Sequence, residues 1–213
     1  MTLTLPPHIT AATAMDAMTH AVEAFTCMAK NPLSDAYATA AVKKVSQSLL
    51  TVMDNPKDVD GRLELAQAST MAGIAFSNSM VGLVHALGHA TGAICHLPHG
   101  LCMSLYLPYV LEYNLETIRE PLGDLLLSLE GPEVFSATPA ARRAEASISA
   151  LRKLRDQLHK RCQLPRTLKE TGKVTEDQLD KIAEMALDDG AIMFNPKEVS
   201  LKDARAVLQR AWA

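Results

Sequence analysis

The stretch SMVGLVHALGHATGAICHLPHG, residues 79–100, decides how the rest of the chain is read. It is the most apolar part of the sequence, yet it holds His85, His89, His96 and His99, four of the seven histidines. They interrupt the apolar run before it reaches the ~18 residues a membrane span needs, so no span is expected. His85 and His89 are four apart, which puts both on one face of a helix. Gly92 to Pro98 should break that helix, and a new one should start near His99.

Working outward, the sequence is helical on both sides. Aromatic residues make up only 4% and alternating β-branched runs are nearly absent, so strands have little support. A first helix is expected from Ala11 to Lys30, ended near Asn31-Pro32. A second opens with Ser34 or Asp35 as its cap and carries Ala38, Ala41, Val42, Val45 and Leu49 at helical spacing. A third runs from Arg62 to Asn78. Beyond the histidines, Pro108 should interrupt or kink the helix before Asn114. A segment at Thr117–Ser128 and a turn at Gly131-Pro132 follow. Thr138-Pro139 reads as the start of a long amphipathic helix reaching Cys162. Thr175 with Gln178, and Ser200 with Asp203, have the spacing of capping boxes for the last two helices. The expectation is one all-α, multi-helix bundle-like domain over residues 1–213.

Composition limits what such a domain can do. With 213 residues, 48% of them hydrophobic, the chain can bury a core without disulfides or a structural metal. Its 21 Lys+Arg and 24 Asp+Glu give a net charge of −3, no electrostatic footprint for nucleic acid or an anionic membrane. Cys27, Cys95, Cys102 and Cys162 are scattered without a CxxC pair and read as reduced thiols. The N-terminus lacks the basic start and apolar run of a signal peptide, so a cytoplasmic location is expected.

Two segments carry metal-type ligands at helical spacing. AMDAMTHAVEAF sets Asp16 four residues before His20, close enough on one helix face to share an ion. The second is the histidine segment, where burying several imidazoles costs free energy unless each finds a partner. Taken alone, this pattern fits either a metal centre or a set of hydrogen-bonded core histidines.

A family pattern separates the two. LTLPPHITAATAMDAMTHAVEAF, NPLSDAYA, AGIAFSNSMVGLVHALGHATGA and LPHG, with LPYVLEYN at 107–114 and the ending DDGAIMFNPKEVSLKDARAVLQRAW, closely resemble the C-terminal helical half of iron-containing (group III) alcohol dehydrogenases. The spacing of His85, His89 and His99 matches that family's HxxxH…PHG signature. The resemblance implies that Asp16, His20, His85 and His99 are the metal ligands, and that His89 faces nicotinamide and substrate as a catalytic proton relay. Ala14 stands where Gly is common, and Ala90-Thr91 where Pro-Leu is frequent; neither removes a ligand. His96 has no assigned role and is taken as local structure.

The chemistry suits those roles. One carboxylate and three neutral imidazoles favour Fe(II), with Zn(II) or another divalent ion also able to fit. With Asp16 as the only anion, the loaded site would carry a net charge near +1, suited to Lewis-acid polarisation of an alcohol or aldehyde oxygen. His89 would take the proton while hydride passes to NAD(P). Glu23 is expected to be an exposed helix carboxylate rather than a partner of the site. Met15, Met18, Met28, Met71, Met80 and Met103 are expected to fill the core. Cys95 and Cys102 are expected to be buried inert thiols, and the Arg142–Arg155 cluster a solvated helix face.

The resemblance also implies an N-terminal α/β domain that holds NAD(P) on a Gly-rich turn. This sequence has 10 Gly and no GxGxxG or GGGS-type turn. The chain therefore reads as the metal-binding half without the nucleotide domain, expected to bind metal but to have little or no turnover alone. A small alcohol or aldehyde is the expected substrate, the nucleotide-binding domain the expected partner, and a homodimer is open. Zinc-dependent glycerol dehydrogenase-like and maleylacetate reductase-like relatives are neighbouring readings, and a non-catalytic metal-binding or dimerisation module is a third.

Overall fold

A computed structural model describes residues 2–213. Among them there is no strand, as the all-α reading expected. The α-helices run in the order α1 (Pro7–Thr26), α2 (Pro32–Asp54), α3 (Val59–Ser79), α4 (Leu83–Cys95), α5 (His99–Asp124), α6 (Leu126–Ala137), α7 (Arg143–Cys162), α8 (Leu179–Leu187) and α9 (Leu201–Trp212), with short 3-10 turns between some of them.

α1 is central. Ala11, Met15, Met18, Ala21, Val22 and Ala24 are all but sealed from solvent, and α1 packs against α2, α3 and α5. Small residues let these backbones approach, and Met fills the gaps that remain. α5 carries the second half of the core on Met103, Leu105, Tyr106, Leu107, Val110, Leu111 and Ile118. Burying each of these large side chains stabilises the fold by about 1.5–3 kcal/mol before entropy is counted. The Tyr106 hydroxyl meets Thr91 Oγ1 at 2.6 Å in the core, tying α5 to α4. α8 and α9 close the far side of α4 and α5.

Helix boundaries follow caps the sequence reading partly misplaced. α1 begins at Pro7 rather than Ala11, because proline at the first helical position needs no hydrogen-bond partner for its nitrogen. It ends at Thr26 rather than Lys30, where Cys27 turns extended. α2 is capped by Asn31, whose side chain accepts from the Leu33 and Ser34 amides, not by Ser34 or Asp35; Ser34 returns the bond by accepting from the Asn31 amide. α5 runs unbroken through Pro108 and Pro121, since burial along its length offsets the hydrogen bonds each proline removes. Gly131 leaves helical geometry at φ 86°, so the expected turn is a kink inside α6. Thr138 closes α6 by donating to the Val134 carbonyl and does not cap α7, which starts only at Arg143. The boxes at Thr175–Gln178 and Ser200–Asp203 are present.

Four side chains lie elsewhere than expected. Met28 and Met80 are largely exposed, because each sits just past a helix end. Arg155 is buried rather than solvated, against the Tyr109 ring. Glu23 is buried. All four cysteines are free, with Cys95 and Cys102 buried as anticipated. Among the described residues, no single helix is long and apolar enough to cross a membrane.

Candidate metal centre

Three helices converge on one point. α1 supplies Asp16 and His20, α4 supplies His85, and His99 is the first residue of α5. One ligand-type atom from each of these four residues lies within 4.8 Å of the other three. The sequence reading grouped the same four. His96 ends α4 in the left-handed region at φ 53°, a helix-stop position well suited to the local role expected of it.

α4 must be held firmly to aim His85, and it is held from outside. The chain turns by 106° between α3 and α4 across Met80–Gly82. At the N-terminus of α4, the Leu83 amide donates to Asn195 Oδ1 at 3.3 Å and the Val84 amide to Glu23 Oε1 at 2.8 Å. Asn195 is locked in turn by a reciprocal amide pair with Asn114, both bonds 2.9 Å. The first residues of α4 thus satisfy their orphan amides through side chains far away in sequence.

Hydrogen bonding fixes which ring nitrogens face inward. His20 Nδ1 donates to the Asp16 carbonyl at 2.9 Å. His85 Nδ1 donates to Glu23 Oε2 at 2.5 Å. Both rings therefore carry a proton on Nδ1, and their Nε2 atoms face each other at 3.1 Å. Two ring nitrogens at that distance need a proton or a cation to share. Asp16 Oδ1 is buried without a hydrogen bond, although His99 Nε2 lies 3.2 Å from it.

Protonation is biased accordingly. Burial, then the neighbouring His85, pushes His20 down to about 4, so it is a neutral donor at neutral pH. Pairing with Asp16 raises His99 despite partial burial. Burial alone would raise Asp16, but the surrounding histidines, His99 foremost, bring it below its ordinary value.

His89 lies outside the four, at the mouth. Its ring stacks on His99 at 5.3 Å between centroids, and its Nδ1 donates to Asp189 Oδ2 at 2.8 Å. Asp189 is itself steadied by the Ala191 amide, 2.8 Å from Oδ1. The Phe76 ring lies 4.4 Å from that of His20 and forms an apolar wall.

Three of these residues escaped the sequence reading. Glu23 had a faint signal, three residues after His20, but was read as exposed. Its carboxylate stands behind His85 and does not join the cluster, in which Asp16 is the only carboxylate. Asp189 and Asn195 gave no signal, since each meets its partner across about a hundred residues.

The chain that carries this cluster has known relatives. The chain belongs to the Fe-containing alcohol dehydrogenase family, whose C-terminal model matches residues 10–212. Alcohol dehydrogenase 4 of Saccharomyces cerevisiae is 36% identical over 210 residues, 98% of this chain and 52% of that protein. The 1,3-propanediol dehydrogenase of Klebsiella pneumoniae is 34% identical over 209 residues, again 52% of its length. A solved 1,3-propanediol oxidoreductase superposes with a TM-score of 0.92 at 32% identity, covering 99% of this chain and 53% of that one. The chain thus spans about half the length of the relatives it matches.

Proposed function

We propose that this chain is the metal-binding, catalytic half of an NAD(P)-dependent alcohol dehydrogenase acting on a small alcohol or aldehyde. Asp16, His20, His85 and His99 would hold a divalent ion, Fe(II) in the first place or Zn(II). The observation that carries this reading is that one ligand-type atom from each of the four residues lies within 4.8 Å of the others, with the His20 and His85 Nε2 atoms 3.1 Å apart. Neutral imidazoles and a carboxylate are the donor set such ions take. When bound, the ion supplies Lewis-acid polarisation of the substrate oxygen.

The other residues would do the following. His89, with Nδ1 committed to Asp189, would accept the proton of a bound alcohol at Nε2, and a bound nicotinamide would supply the hydride chemistry. Asp189 keeps that imidazole in one tautomer and stabilises it once protonated. Phe76 keeps water off one side of His20. The dinucleotide site lies, in this reading, outside residues 1–213, whose sequence holds no Gly-rich phosphate-binding turn.

The test is metal stoichiometry. The chain should bind one divalent ion, and His85→Ala and His99→Ala should each lower the bound metal sharply. Unchanged stoichiometry in both variants would remove the ligand assignment.

A further inference from the structure

Glu23 is an acidic side chain sealed in the interior, only 4% exposed. A buried carboxylate is costly unless it is paired and hydrogen-bonded. Both of its oxygens are engaged, and both engagements converge on α4. Oε2 takes the Nδ1 proton of His85 at 2.5 Å, and Oε1 takes the Val84 amide at 2.8 Å. Neighbouring Gly82 leaves room for the carboxylate: a Cβ there would come within 3.2 Å of Oε1.

We propose that Glu23 is the positioning residue of the metal centre: it fixes His85 in the Nδ1–H tautomer, turns Nε2 toward Asp16, His20 and His99, and strengthens that nitrogen as a donor. The inference rests on the ligand assignment above and adds a residue to it. The physical basis is twofold. An imidazole that donates to a carboxylate through one nitrogen is a more basic ligand through the other. The same carboxylate, accepting from the first turn of α4, fixes the helix bearing the ligand, so ring orientation and helix position are set by one group. No neutral side chain of the same shape can do both. A glutamine can accept at only one oxygen, and its amide would meet either the Val84 N–H or the His85 N–H as a second donor.

The experiment uses the 213-residue chain with Zn(II) and Co(II) alone as probes. Glu23→Gln should weaken affinity for both ions by roughly 10–100-fold and alter the Co(II) ligand-field spectrum. Glu23→Asp should recover part of the affinity. Asp16→Asn serves as the reference for the ligand set. If Asp16→Asn loses metal while Glu23→Gln binds as the parent does, the Glu23 role is wrong and the ligand assignment stands. If neither variant changes affinity, the ligand assignment itself fails. Should Glu23→Gln not fold, the parent chain decides: nitrogen-detected NMR of metal-free His85 should show the Nδ1–H tautomer, and an Nε2–H tautomer would overturn the proposal.

Discussion

At the scale of single residues, burial does more to define this site than residue type. Asp16, His20, His85 and His99 were grouped by the family pattern, with helical spacing alone pairing Asp16 with His20 and His85 with His89. Glu23 was not, because its environment is made by the start of α4, some sixty residues on. An isolated carboxylate on a helix is most often exposed, and nothing local argues otherwise. The same burial logic predicts alkaline behaviour. Burial pushes the Cys102 thiol up to about 12 and raises Tyr106 well above its ordinary value. Unfolding lets Cys102 lose its proton from about pH 9, while the folded chain keeps it to about 12. Between these values the unfolded state binds fewer protons, so stability must fall as pH rises. The melting temperature should therefore decline from pH 9 upward, with a shallower slope in Cys102→Ala; identical slopes would show that this thiol is not responsible. Cys102 should also resist thiol reagents until the chain unfolds.

At the scale of elements, the junctions matter more than the helices. Most helices were legible from apolar spacing, α6 excepted, and so were the boxes at Thr175 and Ser200, because capping is a local exchange of hydrogen bonds. The kinked α6 and the unbroken α5 were not, since tertiary packing decides whether a glycine or proline ends a helix. Met80 is the clearest case. It sits between α3 and α4 at φ 116°, ψ −178°, a conformation that L side chains rarely adopt. Met80→Gly should stabilise the chain by about 1 kcal/mol, once the greater freedom of glycine in the unfolded state is set against the relieved strain. Denaturant unfolding would measure it, and a loss of stability would show that the Met80 side chain contributes more than its backbone costs. Gly100 makes the opposite case. A Cβ at Gly100 would lie 2.5 Å from the Ala12 carbonyl oxygen, backbone that cannot move aside. Gly100→Ala should cost about 1–3 kcal/mol. Because it wedges α5 away from α1, it should also reduce bound metal, since His99 and Asp16 stand on those two helices. Full metal retention in a folded Gly100→Ala chain would contradict that geometry.

At the scale of the molecule, the four candidate ligands stand on α1, α4 and α5, which pack in turn against α7, α8 and α9, yet the chain matches only about half of its relatives' length. The prediction is a separation of properties. The chain should bind a divalent ion while producing little or no reduced nicotinamide from a short-chain alcohol and NAD(P), followed by absorbance. Robust turnover would place a dinucleotide site within residues 1–213. A last consequence concerns the order of synthesis. The amides that open α4 are held by Glu23 and by Asn195, one made well before the helix and the other about a hundred residues after it. A growing chain on the ribosome therefore has its histidines in place long before the clamp that aims them. The cluster of Asp16, His20, His85 and His99 reaches its final shape only when nearly the whole sequence has emerged, so ribosome-released pieces ending before Asn195 should carry all four residues and still hold metal poorly.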